Sequence, residues 1–229
     1  MEIKSIISET TGEFFYKLEN HLLFDEKPSI FLQEILFNND DYNSYDNLIK
    51  ALYDLKDVKQ NPKFHPEGDA LTHTLYAVDE AAKYKDLAHN KKEFMFAALL
   101  HDIGKSKTTI LDNDNNIIDD HHDLVSGEMA RRILRDHINN ITIRDNIVSL
   151  IKHHMTHFYV LNKIKTGAVL NMIETTDIHD VALLSLCDRL GKGNLSKDAK
   201  EATLNDINKF LDIMSSKTGV TYEKIYITF

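Results

Sequence analysis

Histidines and carboxylates recur in this sequence where apolar helices would carry them inward. The adjacent pair His101-Asp102 follows the run Phe94-Met95-Phe96-Ala97-Ala98-Leu99-Leu100 and precedes Ile103-Gly104-Lys105. At the end of a buried helix, such a pair presents one nitrogen and one carboxylate to the same point, which is part of the donor set of a metal centre. Alone, a His-Asp pair suits a solvated helix end equally well. His73 stands within Gly68-Asp69-Ala70-Leu71-Thr72-His73-Thr74-Leu75, flanked by residues that must pack inward. Asp188 lies in Leu183-Leu184-Ser185-Leu186-Cys187-Asp188-Arg189-Leu190, where an unpaired carboxylate would be costly to bury. Two readings of Asp188 stay open at this point: it ligates a cation, or it pairs with Arg189 or Arg132.

Residues this far apart in the chain can meet only if rigid elements bring them together. Leu71, Leu75, Val78 and Ala82 recur at spacings of three or four, which predicts an amphipathic helix over 70–84. The same period predicts helices over 91–101, 125–137, 144–156, 166–173, 177–190 and 197–215, with Gly104, Gly127, Gly167 and Gly191 at helix ends or tight contacts. Upstream, Phe14, Phe15, Leu18, Leu22 and Leu23 predict a helix that stops before Pro28, and two short helices are expected over 29–38 and 43–55. Asn61-Pro62-Lys63-Phe64-His65-Pro66-Glu67-Gly68-Asp69 reads as an ordered loop ending in a helix cap. The fold class is therefore all-α, with one small hairpin expected over 108–118. Asp112 and Asp114 in that hairpin faintly echo a calcium loop, but its glycine and terminal glutamate are missing. The tail from Val220 to Phe229 suits a terminal strand or an oligomer contact. There is no internal repeat and no low-complexity segment.

Composition narrows the chemistry further. With 229 residues, 42% of them apolar, the chain is long enough for a substantial core and is expected to form a single domain over 1–229. That unit divides into a core at about 60–195, an N-terminal helical extension over 1–59 and a C-terminal helix and tail over 196–229. One cysteine, Cys187, permits neither an intramolecular disulfide nor a thiolate zinc knuckle and suits core packing. A net charge of −9 disfavours duplex DNA and anionic membranes, while leaving room for a local basic pocket. No apolar run is long enough for a membrane span and no signal peptide is evident, so the expected location is cytoplasmic.

The order His73, His101-Asp102, Asp188, each on an apolar helix, resembles the HD superfamily of metal-dependent phosphohydrolases. Gln60 through Asp69, His73-Thr74-Leu75, His101 through Lys105, and Leu22 through Ser29 are similar to the HD domain attached to bacterial CCA-adding tRNA nucleotidyltransferases. The likeness covers about 20–190. It implies an all-α helical bundle in which His73, His101, Asp102 and Asp188 converge as ligands. The paired carboxylates of a nucleotidyltransferase domain are not present ahead of it, so CCA addition is not expected. The resemblance also implies that a two-metal site would draw one histidine from each of His121-His122 and His153-His154. Family-like spacing to Gly127 and Met155 selects His122 and His154.

Such a site implies one or two divalent ions, drawn from Mn, Fe, Co, Ni or Zn, acting on a phosphodiester or phosphomonoester of a nucleotide or RNA end, of the 2′,3′-cyclic phosphate type. Asp102 and Lys105 are the expected catalytic pair, with Lys105, Arg131, Arg132, His65 and Glu67 as substrate contacts. Each has a plainer reading: Lys105 as a helix-dipole partner at a helix C-terminus, and His65 and Glu67 as an exposed turn. His157 stands four residues from His153, a spacing that can chelate on a helix. His21, His89, His137 and His179 read as surface residues. Two other functions compete: hydrolysis of nucleoside triphosphates or pyrophosphates on the same scaffold, and a non-catalytic RNA-binding module stabilised by its metal.

Overall fold

The computed structural model describes residues 11–37 and 46–229. The first part of the expected N-terminal extension, 1–10, and the beginning of the expected 43–55 helix lie outside the described residues. The fold is all-α, as expected. Helices α1 (Thr11–Phe24), α2 (Pro28–Phe37) and α3 (Asn47–Tyr53) precede α4 (Ala70–Tyr84), α5 (Lys91–Leu100) and α6 (Lys105–Thr108). A hairpin of β1 (Ile110–Leu111) and β2 (Ile117–Ile118) follows, antiparallel with Ile110 opposite Ile118. Then come α7 (His122–Leu134), α8 (Ile141–His153), α9 (Thr156–Leu161), α10 (Ala168–Thr175), α11 (Ile178–Leu190) and α12 (Lys197–Thr218).

Two helices form the axis of the bundle. Residues Glu93 to Leu100 of α5 and Ile178 to Asp188 of α11 are buried without a break. A helix buried on all sides has no polar face, and the polar residues these two stretches carry, Glu93, His179, Asp180, Ser185 and Asp188, are themselves buried. Helix α5 packs on α1, α4, α8 and α11, while α11 packs on α4, α5, α8 and α12. Side-chain caps set the starts of the elements around them: Asp69 accepts from the Thr72 amide at 2.7 Å, Asn140 from Thr142 at 2.9 Å, and Asp177 from Asp180 at 3.1 Å.

Boundaries differ from expectation where local backbone chemistry intervenes. Helix α7 begins at His122, not 125, because His121 takes a left-handed conformation (φ 62°) that turns the chain into the helix. The expected 144–156 helix is two: α8 starts earlier, at the Asn140 cap, and the chain breaks at His154–Met155 before α9. The hairpin turn is closed by Asp112, whose carboxylate accepts from the Asp114 and Asn116 amides at 2.8 Å each. The tail is not a strand. It lies along α12, with Ile225 buried and its amide and carbonyl both bonded to the Asn208 side chain.

Of the four histidines read as surface residues only His89 is exposed; His21 is half-buried, stacked on Phe31 at 3.7 Å. The His137 ring stacks on Phe15 at 4.6 Å and bonds Asp46 at 3.0 Å, and His179 is buried beside Asp180.

Gly104, in the turn between α5 and α6, lets α7 approach. A β-carbon there would meet the His122 carbonyl and the Ser126 amide at 2.5 Å, and the Gly104 amide already donates to Ser126 Oγ at 2.8 Å. Backbone on backbone cannot yield as a side-chain tip can. Gly104→Ala should therefore destabilise the protein by about 1–3 kcal/mol. Gly167→Ala, where nothing lies within 4 Å, should stay within about 0.5 kcal/mol of wild type. Urea midpoints measure both, and equal midpoints for the two variants would refute the tight α5–α7 junction.

Candidate metal centre

Helix ends gather the six expected ligands at one place. His73 is in the first turn of α4, His101 caps the C-terminus of α5 and Asp102 follows it. His122 opens α7, His154 caps α8, and Asp188 lies in the last turn of α11. All six are buried. Two triads result, His73-His101-Asp102 and Asp102-His122-His154, each with its donor atoms within 4.8 Å of one another.

Asp102 joins them by dividing its oxygens. Oδ2 lies 3.3 Å from His101 Nε2 and 3.7 Å from His73 Nε2, whereas Oδ1 lies 3.5 Å from His122 Nε2. Asp188 Oδ1 stands 2.8 Å from His73 Nε2 and 3.9 Å from His101 Nε2. The sequence left Asp188 between ligation and an arginine pair; Arg189 turns instead to Asp206, at 2.9 Å.

Hydrogen bonds behind the rings fix which nitrogens face the site. Nδ1–H of His101, His122 and His154 donates to the carbonyl three residues earlier, on Ala98, Asp119 and Ile151, at 2.9, 2.9 and 2.7 Å. Each Nε2 lone pair is thereby left pointing inward. His73 is held differently: its Nδ1 donates to Glu67 at 2.8 Å, and Glu67 also accepts from His65 Nδ1 at 2.9 Å.

These residues fit a cation. Both Asp102 oxygens and His101 Nε2 are buried without a hydrogen-bond partner; the Lys105 ammonium stands 2.8 Å from Oδ2 as an ion pair without hydrogen-bond alignment. The Nε2 atoms of His122 and His154 face each other at 3.3 Å with both rings donating through Nδ1. Two lone pairs repel at that distance, and two nitrogens bound tetrahedrally to one ion would stand about 3.3 Å apart. Imidazole and carboxylate donors without thiolate suit first-row divalent metals.

The electrostatics follow from burial and pairing. Burial alone would raise the Asp102 carboxyl, but the facing His101 ring and the Lys105 ammonium hold it well below the usual carboxylate range. Asp188 is likewise held down against burial by the His73 hydrogen bond. Burial and the neighbouring His101 and His122 push His154 down to about 3, and burial pushes His157 down to about 4. Burial works against the charged form of His73 too, yet its bonds to Asp188 and Glu67 carry it up to about 9.

The centre opens into a cavity of about 620 Å³. Its walls include Asp102, Lys105, His122, His154 and Asp188, then His157, Phe64, Phe158 and the cations Arg189, Lys192 and Lys209. Lys105 sits at the start of α6, not at a helix C-terminus, with Nζ held at 2.6 Å by Gln60 Oε1. His65 lines the cavity as expected. Glu67 does not; it lies behind His73 with its side chain 1% exposed. Arg131 and Arg132 do not line the cavity either. Arg131 pairs with Asp145 at 2.5 Å and Arg132 is exposed, because both project from the far part of α7.

His121 is exposed, and His153 bonds Asn171 at 2.9 Å, so neither joins the triads and His153 does not chelate with His157. The sequence reading missed His157 as a cavity residue, although its three-residue spacing from His154 repeats the ring-to-carbonyl pattern: Nδ1 donates to the His154 carbonyl at 2.9 Å.

The HD domain family matches residues 70–192, which is more than half of the chain and spans every residue of the two triads. The chain belongs to the HD domain family. Its relatives include multifunctional CCA proteins. That of Halorhodospira halophila is 34% identical over 123 residues, covering 53% of this chain and 27% of the relative. That of Actinobacillus pleuropneumoniae is 25% identical over 169 residues, covering 71% and 40%, and that of Neisseria meningitidis serogroup B is 30% identical over 122 residues, covering 52% and 27%. This HD domain thus spans well under half the length of these relatives. No helix among its described residues is long and apolar enough to cross a membrane.

Ligation through His73 Nε2 requires its proton to leave. With the group raised to about 9, chelator-stripped protein should release about one proton per chain on metal uptake at pH 7. The folded value lies above the ordinary 6.5, so the stability that His73 contributes is complete below 6.5 and lost as pH rises through about 9. Stripped protein should lose this part of its melting temperature across that window while metal affinity rises. Calorimetry in buffers of different ionisation enthalpy reads the proton count, and a count of zero would remove His73 from the ligand set.

Proposed function

We propose that this HD domain is a metal-dependent phosphohydrolase acting on nucleotides or RNA ends, opening 2′,3′-cyclic phosphodiesters or cleaving phosphomonoesters. The observation that carries the reading is the division of Asp102, one oxygen toward His73 and His101 and the other toward His122. A carboxylate so placed suits two ions, held by His73, His101 and Asp188 on one side and by His122 and His154 on the other. Bound divalent ions supply a Lewis acid and a water acidic enough to ionise near neutral pH.

The protein's own groups do the rest. Glu67 holds the His73 ring so that Nε2 faces Asp102 and Asp188. Lys105, fixed by Gln60 and balanced against Asp102, keeps an ammonium at the cavity wall where a phosphoryl oxygen would lie. Phe64 and Phe158 are each about half exposed, a poor use of aromatic surface unless a base stacks there. Lys192 and Lys209 line the same cavity and form no ion pair among the described residues, leaving them for further phosphates. The name of the relatives, multifunctional CCA protein, fits an RNA end as substrate.

Protein purified without chelator should hold two ions per chain by elemental analysis, about 3.5–4 Å apart by X-ray absorption. His122→Ala or His154→Ala should lower the count to one with the fold intact. Asp102→Ala should empty both positions and reduce turnover by on the order of a hundredfold or more. Full metal occupancy in Asp102→Ala would refute the bridging role. A panel of 2′,3′-cyclic nucleotides, nucleoside monophosphates and triphosphates, with Mn, Fe, Co, Ni and Zn, assigns the substrate. Turnover of triphosphates alone would select the pyrophosphate-type reaction, and salt-dependent RNA binding without any turnover would select a non-catalytic module.

Phe158→Ala should raise KM about tenfold with kcat nearly unchanged, the signature of lost uniform binding. An unchanged KM would show that no base stacks there.

A further inference from the structure

His157 lies in the first turn of α9, buried, with its Nδ1–H committed to the His154 carbonyl at 2.9 Å. That bond fixes the tautomer and leaves Nε2 as an acceptor. Up to this point it resembles His101, His122 and His154. The difference lies at Nε2. No carboxylate, hydroxyl or second imidazole among the described residues bonds it, and it belongs to neither ligand triad. Nor is it among the buried atoms left without a partner, so it opens onto the cavity that His157 lines.

The surroundings make this acceptor distinctive. The cavity wall also carries Arg189, Lys192 and Lys209, which offer hydrogens. Those donors suit phosphate oxygens, which only accept. An imidazole lone pair gains nothing from a phosphate oxygen and needs an O–H or N–H. His157 lines the same cavity as Asp102, His122, His154 and Asp188, so a group that meets its Nε2 shares that cavity with the candidate metal centre. In a ribonucleotide 3′-monophosphate, the phosphomonoester arm of the proposed function, the 2′-hydroxyl next to the phosphate is such a group, whereas in a 2′,3′-cyclic diester that oxygen is esterified; the 2′-hydroxyl is what separates RNA from DNA.

We propose, building on the phosphomonoesterase arm of the phosphohydrolase reading, that His157 is a specificity-determining residue whose Nε2 accepts a hydrogen bond from a substrate sugar hydroxyl, so that the cavity selects ribonucleotide over 2′-deoxyribonucleotide phosphomonoesters. A site built around such a bond rejects the analogue lacking the hydroxyl, because the buried acceptor is then left bare.

The test compares adenosine 3′-monophosphate with 2′-deoxyadenosine 3′-monophosphate, as kcat/KM of metal-loaded protein and as dissociation constants by calorimetry. Wild type should prefer the ribonucleotide about tenfold or more in both. His157→Phe, which keeps bulk and removes the acceptor, should bring the ratio near one. His157→Gln, whose side-chain carbonyl can accept, should retain most of the preference. Metal content should equal wild type in both variants. A wild-type ratio near one overturns the proposal without any variant, and so does loss of metal in both variants, which would make His157 a ligand. If other phosphoesters turn over while neither adenosine phosphate binds, the proposal fails and the hydrolase reading stands. If no phosphoester turns over and neither nucleotide binds, both fail.

Discussion

A carboxylate sealed from water, with neither oxygen hydrogen-bonded, is the constraint around which this molecule is arranged. Asp102 is 1% exposed, and isolated burial of that charge would cost far more than a small domain's net stability. The protein does not remove the problem by protonating the group; its neighbours hold the carboxyl well down. One buried lysine and an arc of imidazole nitrogens stand around it instead. Lysine is itself difficult to bury, and Lys105 tolerates it through Asp102 and the Gln60 carbonyl. Removing either charge would leave the other stranded, which is costlier than lacking both. The arrangement is thus stable only as a set, and the set is completed by cations.

Helix ends are the means by which five helices deliver that set. The last carbonyls of a helix have no partner within it. His101 and His154 sit at such ends, and each ring satisfies one of those carbonyls through Nδ1. The same bond that caps the helix therefore aims Nε2. His122 reaches this geometry from a helix start, through the Asp119 carbonyl, which the left-handed turn at His121 brings under the ring. Gly104 lets that start approach the end of α5 closely enough for His122 and Asp102 to face each other. Capping, close backbone approach and ligand orientation are here one device.

The inner site was legible in the sequence because burial leaves a periodic trace. His73, His101-Asp102 and Asp188 each stand in apolar helices, which marked them as candidates, while their convergence was what the resemblance to the HD superfamily implied. The choice of His122 over His121 and His154 over His153 came from family-like spacing, since adjacent residues share composition and differ only in direction. Direction is set by a single positive φ at His121 and by the chain break after His154, neither of which periodicity encodes. The rim was less legible. Arg131 and Arg132 are close in sequence to His122, but a helix carries residues nine or ten positions on far from its first turn, at 1.5 Å per residue. Lys192 and Lys209 reach the cavity from the turn after α11 and from α12, placements that only tertiary packing reveals. Glu67 was offered as a substrate contact through the family resemblance, its Glu-Gly setting suiting an exposed turn, and it lies behind His73, whose Nδ1 it accepts from. His137 shows the same limit: an isolated histidine near charged residues gives no sign that Phe15 and Asp46 will enclose it.

The net charge of −9 and an anionic substrate are reconciled at the cavity itself. Lys105, Arg189, Lys192 and Lys209 line it against Asp102, Asp119, Asp188 and Asp206, so these cations and carboxylates balance one for one. A neutral cavity in an acidic protein has little attraction for a phosphoester. Each divalent ion adds two positive charges at the deep end, beside the carboxylates, and leaves the lysines at the rim unopposed. Field strength in a walled cavity depends on that local sum more than on the charge of the whole molecule. In the proposed reaction, metal loading would therefore govern phosphate attraction as well as chemistry, and an acidic surface elsewhere is compatible with it.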